Sequence, residues 1–234
     1  MAPKLEQGAG RLVDREDVGG GLVRHAMEVP SALAETFHAP GQYVSLSLAS
    51  KETYFALAGE PGVSGWEVLV RAGGDVADGL LELPLGGRVG LSKALGEGFP
   101  MGEAAGRRLF VVATGSGLAA VRSVLTARLR EGLAASTEML LGVRTRAEVP
   151  LATELDAMRR EGMAVTVCCS RESIDGVGLA SGYVQDVLVR RAVDRPSDFE
   201  RAIFFAAGTT AMIERLRELA RELHVTEADV RTNF

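Results

Sequence analysis

The spacing of apolar residues along this chain changes near residue 105. In the first part, short segments alternate apolar and polar positions with a period of two, and a short helix fits at about 75–83. The strand-like segments of this part are 42–48, 53–58, 66–72 and 88–91. Many short strands separated by glycine and proline predict a small antiparallel β-barrel.

From about residue 107, apolar strands alternate with amphipathic helices. The predicted strands are 109–113, 138–142, 163–169 and 202–207, and the predicted helices are 117–131, 150–161, 182–191 and 209–223. This rhythm predicts a parallel sheet with helices on both faces. Val230 and Thr232 are spaced as in an edge strand. The predicted class is therefore α/β plus β: an N-terminal extension at 1–21, a barrel domain at 22–103 and an α/β domain at 104–234.

Composition and charge exclude several classes of function. The chain has 234 residues, 47% of them hydrophobic, and a formal net charge of −5, which argues against a nucleic-acid-binding surface. Cys168 and Cys169 are the only cysteines, too few for an iron–sulfur cluster or a structural zinc site. There is no signal-like segment and no run of 18 apolar residues, so we expect no membrane insertion. The expected location is the cytoplasm, or the plastid stroma for a processed plant or algal form.

The segment "LFVVATGSGLAAVRSVL" (109–125) joins a strand to a helix through a glycine turn. Gly115, Gly117 and Ala120 fit the pattern G-x-G-x-x-A, in which the backbone approaches a pyrophosphate and the helix start favours its negative charge. A tight turn without a ligand is the alternative. The next predicted strand is followed by Arg144 and Arg146, where an acidic residue would bind ribose hydroxyls. Arginines suit a phosphate better than a bare ribose. The alternative is that both arginines belong to a solvated loop and bind no ligand.

Five segments, taken in order, resemble motifs of the ferredoxin–NADP⁺ reductase superfamily, and the resemblance extends from about 22 to 234. They are "APGQYVSLSL" (39–48), "ATGSGLAAVRSVL" (113–125), "LLGVRTRAEVPLATELDAM" (140–158), "CSRES…GYVQDVL" (169–188) and "FFAAGTTAMIERL" (204–216). A sixth, "LGEGFPM" (95–101), is similar to a turn of the dihydroorotate dehydrogenase electron-transfer subunits and of plastid ferredoxin-reductase-like proteins.

The resemblance implies a flavin in the barrel and a nicotinamide nucleotide in the second domain. Hydride would pass from NAD(P)H to FAD, and electrons would pass on to an acceptor protein, such as a ferredoxin or a partner enzyme, or to a small molecule. Ser170 and Arg171, followed by Tyr183 and Gln185, favour NADP(H) over NAD(H). An iron–sulfur cluster is not expected, and neither is a metal site.

The resemblance also implies a set of site residues. The flavin would contact Tyr54, Phe55, Ala56, Leu57, Ala77, Asp78, Gly79 and Phe234. The nucleotide would contact Thr114, Gly115, Ser116, Gly117, Gly142, Arg144, Ser170, Arg171, Tyr183, Gln185 and Gly208. Tyr54 and Phe234 would pack on the flavin ring and so take part in catalysis.

The sequence departs from the family's pattern where the flavin phosphates would bind. Glu52 stands at an arginine position, Phe55 at a serine position and Ala77 near a second serine. Arg71 and the backbone amides at 77–79 are the substitutes that the sequence offers. Ala207 replaces the family's cysteine. Two alternatives therefore stay open: an electron-transfer subunit without a cluster, and a non-catalytic paralogue with a binding or scaffold role.

Overall fold

An antiparallel sheet and a mostly parallel sheet follow one another along the chain. In the computed structural model, which describes residues 7–223 and 225–233, the first sheet has the order β4-β3-β6-β1-β2-β5. Its strands are β1 (Gln7–Asp17), β2 (Val23–Glu28), β3 (Tyr43–Leu48), β4 (Lys51–Ala56), β5 (Gly65–Val70) and β6 (Arg88–Ser92). Two helices accompany them, α1 (Ser31–Ala34) and α2 (Asp75–Glu82). A bridge between Leu57 and Val68, with Ala58 N–H donating to Glu67 O at 2.8 Å, closes the sheet into a barrel.

The second sheet has the order β10-β11-β9-β8-β7-β12-β13, and β10 is its one antiparallel strand among the described residues. Its strands are β7 (Leu109–Thr114), β8 (Thr137–Val143), β9 (Ala164–Cys169), β10 (Asp175–Gly176), β11 (Leu179–Ser181), β12 (Ile203–Ala207) and β13 (Val230–Thr232). The helices are α3 (Leu118–Arg130), α4 (Ala152–Arg160), α5 (Val184–Asp194) and α6 (Thr210–Glu222). None of the described helices is long and apolar enough to cross a membrane.

The barrel and the α/β sheet agree with the fold class that the sequence predicts, but the assignment of 1–21 to an extension is wrong for residues 7–17. These residues form β1, which lies between β6 and β2 in the middle of the barrel sheet. The segment contains two early glycines and several charges, and Leu12 is its one fully buried apolar side chain. Backbone hydrogen bonds to β2 and β6 therefore hold β1 in the sheet. Its sequence lacks the alternation of apolar and polar residues by which a strand is recognised.

The barrel is packed directly onto one face of the parallel sheet. Leu22, Leu69 and Phe99 of the barrel region belong to the same buried cluster as the inward side chains of β7 and β12. The ring of Phe99 stacks on that of Phe205, with centroids 4.9 Å apart. The barrel therefore has a fixed position relative to the carboxyl edge of the parallel sheet.

A network of charges reinforces this contact. Arg122, on α3, donates from Nε to Glu154 of α4 at 2.8 Å, and from Nη1 to Glu67 of β5 and to the carbonyl of Ala58 at 2.9 Å. Burial opposes the charged guanidinium, yet the two carboxylates outweigh it and raise the pKa of Arg122. Glu67 also pairs with Arg24 at 2.9 Å. The network thus joins both parts of the chain.

We expect Arg122→Ala to lower the free energy of unfolding by about 2 kcal/mol, because it leaves two half-buried carboxylates without their shared cation. Arg130→Ala is the matched control on the same helix, since the Arg130–Glu60 pair is exposed. That control should cost about 0.5 kcal/mol or less. Urea unfolding followed by circular dichroism measures both, and equal losses would show that the network does not stabilise the contact.

The C-terminal segment is held by a second ion pair. Asp229 lies 2.7 Å from Arg107, whose hydrogen bond holds the pKa of that carboxyl below its usual range. The stabilisation is therefore complete above about pH 4, the pKa in the unfolded chain, and is lost as the pH falls through the lower pKa of the folded state.

We expect Asp229→Asn to cost about 1 kcal/mol at pH 7 and progressively less below pH 4. Unfolding curves at several pH values test this, with exposed Asp194→Asn as control; a pH-independent loss would contradict it.

Candidate functional site

An open cleft of about 1570 Å³ lies between the barrel and the carboxyl edge of the parallel sheet. Single-ligand pockets are commonly about 300–1000 Å³, so this cleft has room for two extended ligands. Strand β7 lies between β8 and β12 and ends at the cleft with Thr114. The chain continues from β7 to β8 on one side and later returns to β12 on the other side, so the crevice at the carboxyl end of β7 is a topological switch point, where open α/β sheets bind ligands.

The glycine turn of the sequence forms the floor of this cleft. Gly115 has φ +55°, and a β-carbon on Gly117 would overlap the carbonyl oxygen of Ala207. Helix α3 starts directly after the turn, so its first N–H groups and the positive end of its dipole lie at the cleft. The hydroxyl of Thr114 accepts a hydrogen bond from the N–H of Thr209 at 3.3 Å. This contact ties the ends of β7 and β12 together beneath the cleft.

The barrel wall of the cleft presents an aromatic ring. Tyr54, on β4, is 61% exposed and meets Tyr43 edge to face, with centroids 5.7 Å apart. Phe55 and Ala56 line the same wall. Leu57, which the sequence analysis places at the flavin, is fully buried in the barrel core instead. It therefore supports the wall from behind.

The start of α2 reaches the same wall. Ala77 lines the cleft, whereas Asp78 and Gly79 do not. The N–H of Asp78 donates to Gly74 O at 2.9 Å, and Gly79 packs against Leu48 of the barrel. The amide of Asp78 is therefore already paired within the protein and is not free for a ligand's phosphate, in contrast to the expectation from the sequence.

The opposite wall carries the residues that the resemblance assigns to the nucleotide. Thr114, Gly115, Ser116, Gly117, Gly142, Arg144, Ser170, Arg171, Tyr183, Gln185 and Gly208 all line the cleft. The N–H of Ser170 donates to Val143 O at 3.0 Å and that of Arg171 to Arg144 O at 2.8 Å. These bonds join the loops that follow β8 and β9, so the two arginines lie side by side at one end of the cleft.

Charge at this end is partly compensated within the protein. Arg144 donates to Glu148 at 2.8 Å, and this hydrogen bond, with the nearby Arg171, holds the pKa of Glu148 below its usual range. Arg171 forms no ion pair with another described residue. Its guanidinium is exposed and is therefore the cation best placed to meet an added phosphate.

Tyr183 and Gln185 stand at the start of α5. Tyr183 is 65% exposed, and its N–H donates to the Asp186 carboxylate at 2.8 Å. Gln185 donates to Met212 O of α6 at 3.3 Å, which fixes its amide at the cleft. An exposed aromatic ring held at a helix start can stack on a planar base.

Several lining residues carry no signal in the sequence. Asn233 is buried at the end of the described chain, donates to Gly41 O at 3.2 Å and has an Oδ1 without a hydrogen-bond partner among the described residues. It reaches the cleft because β13 pairs with β12. Phe234, which the resemblance places on the flavin, lies outside the described residues. Arg215, Glu148 and Thr53 also line the cleft, and only the fold brings them there.

Comparisons with known proteins agree with this geometry. Residues 111–218, somewhat less than half of the chain, match the model of the oxidoreductase NAD-binding domain. No curated protein matches the chain significantly. Among solved structures, the flavohem-like FAD/NAD-binding domain of nitric oxide dioxygenase from Vibrio cholerae is similar, with a TM-score of 0.82, 15% identity and 96% of each chain covered.

Two further structures have the same fold. A ferredoxin NADP⁺ reductase from Neisseria gonorrhoeae, with bound FAD and NADP, has a TM-score of 0.79, 14% identity and 98% of each chain covered. The CS-b5R domains of human Ncb5or have a TM-score of 0.82 at 16% identity, over 100% of this chain and 71% of that one. The comparisons confirm the resemblance found in the sequence: the chain has the fold of the ferredoxin–NADP⁺ reductase-like FAD/NAD-binding oxidoreductases, and its residues 111–218 match the model of the oxidoreductase NAD-binding domain.

Proposed function

We propose that this chain is a flavin-dependent oxidoreductase that takes hydride from NADPH and delivers electrons to an acceptor protein, such as a ferredoxin or a partner enzyme. One observation carries the proposal: a single cleft places an exposed tyrosine of the barrel opposite a glycine turn at a helix start. The turn lies in a segment that matches a nicotinamide-nucleotide-binding family. The similar Neisseria structure, with FAD and NADP bound, supports this pairing of ligands.

The residues at the cleft's centre fit two flat rings. Thr114, Gly115, Ala207 and Gly208 all have small side chains, so rings can approach one another without obstruction. A bound flavin would accept hydride from a nicotinamide and pass the electrons on to an acceptor. The protein's contribution is to align the rings and to exclude water from between them. Tyr54 would cover one ring with its exposed face, and the Thr114–Thr209 contact would hold the floor in place.

The nucleotide half of the cleft favours NADPH over NADH. The Ser170 hydroxyl, which donates to Val143 O at 3.3 Å, can rotate toward a ligand, and Arg171 offers a guanidinium with no ion pair to another described residue. A ribose 2′-phosphate carries the charge and the oxygens that such a pair binds well, whereas a bare hydroxyl does not. Tyr183 would stack on the adenine beside them.

Removing the aromatic ring from the barrel wall should weaken flavin binding. We expect Tyr54→Ala to raise the dissociation constant of FAD about tenfold and Tyr54→Phe to leave it within about twofold, because the ring face stays. Titration of the flavin-free protein with FAD, followed by flavin fluorescence, measures this. Wild-type protein that binds no flavin and shows no bleaching with NADPH would overturn the proposal in favour of a scaffold role.

Arg171 should decide between the two nucleotides. We expect Arg171→Ala to raise KM for NADPH at least tenfold while KM for NADH changes by less than about twofold, since only NADPH has the phosphate. Arg160→Ala is the control, because Arg160 is exposed on α4 and does not line the cleft. Steady-state reduction of an artificial electron acceptor by each nucleotide gives the constants. Equal use of both nucleotides by the wild type would show that the preference for NADPH is wrong.

A further inference from the structure

The start of α2 already holds an anion that belongs to the protein. The carboxylate of Asp78 accepts hydrogen bonds from the N–H groups of Gly73 at 2.8 Å and Gly74 at 3.2 Å. Both glycines have positive φ, +124° and +114°, so the chain is bent to aim two successive amides at one carboxylate. Gly73 lines the cleft and Gly74 directly follows it, so the Asp78 carboxylate occupies donors at the edge of the cleft that a ligand's phosphate would otherwise meet.

The surrounding charges leave little attraction for an added phosphate. Asp75, the first residue of α2, pairs with Lys51 at 3.4 Å, so that lysine is neutralised locally. Glu52 is held on the barrel by a hydrogen bond from Ser45. Among the described residues, Arg71 is the cation that lines this wall of the cleft. Two carboxylates in the first turn of α2 also offset the positive end of its dipole.

We propose that Asp78 determines how tightly this chain holds its flavin, by taking the amides that would bind the flavin's phosphates and by repelling those phosphates. The inference rests on the proposed function. Its consequence is a flavin held mainly through its ring system, with the diphosphate of FAD adding little. FAD is then an exchangeable ligand, and riboflavin and FMN compete with it.

A direct comparison of three flavins tests the inference. Flavin-free wild-type protein is titrated with riboflavin, FMN and FAD by fluorescence, and we expect FAD to bind less than about tenfold more tightly than riboflavin. Asp78→Asn removes the charge but keeps an acceptor oxygen for one of the two amides, and Asp78→Ser frees the amides. Each should tighten FAD about tenfold and leave riboflavin within about twofold, because only FAD carries the phosphates. Glu82→Gln, at the exposed far end of α2, is the control.

A second readout needs no variant. Salt screens repulsion between exposed charges, so raising the ionic strength should strengthen binding of FAD relative to riboflavin in the wild type. The inference is overturned if wild-type protein binds FAD a hundredfold more tightly than riboflavin and the Asp78 variants do not change that ratio. The proposed function survives that result, because the protein still binds flavin. If neither the wild type nor the variants bind any of the three flavins, the proposed function fails together with the inference.

Discussion

The packing of the barrel on one face of the parallel sheet is the constraint on which the rest of this structure depends. Neither half contains a complete cleft: one supplies the aromatic wall and the other the glycine floor. The Phe99–Phe205 stack contributes apolar area to the contact, and the Arg122 network contributes directional hydrogen bonds. Directional bonds restrict sliding between the two halves, so the two walls of the cleft keep a fixed separation.

Small residues at the strand ends are the second requirement. A β-carbon on Gly117 would overlap the Ala207 carbonyl, and one on Gly208 would overlap the Thr114 hydroxyl. The turn after β7 and the loop after β12 are therefore in close contact, and this closeness brings the start of α3 to the cleft. The glycines are therefore required by the close packing of the two loops, whether or not a ligand is bound.

The hydrophobic pattern alone predicts the α/β half well because each buried strand is a continuous apolar run and each helix has a clear period. The bounds of β7 and α3 differ from the predicted ones by one residue. The barrel is less predictable. Strand β1 has few apolar residues and is recognisable only by its pairing with β2 and β6. Asn233 reaches the cleft through pairing of β13 with β12, which local sequence does not encode.

The residues at the phosphate end of the barrel form a consistent set. A glutamate at an arginine position would repel a phosphate, and an alanine near a serine position offers no hydroxyl. Asp78 completes the change, because a carboxylate on the Gly73 and Gly74 amides leaves no unpaired donors there that would need a ligand. If position 52 had no arginine and residue 78 had no carboxylate, the amides of Gly73 and Gly74 would stay exposed at the start of α2. They would then still attract an anion. Glu52, Ala77 and Asp78 therefore give this part of the barrel two carboxylates and no hydroxyl, whereas the opposite wall of the cleft presents the guanidinium of Arg171.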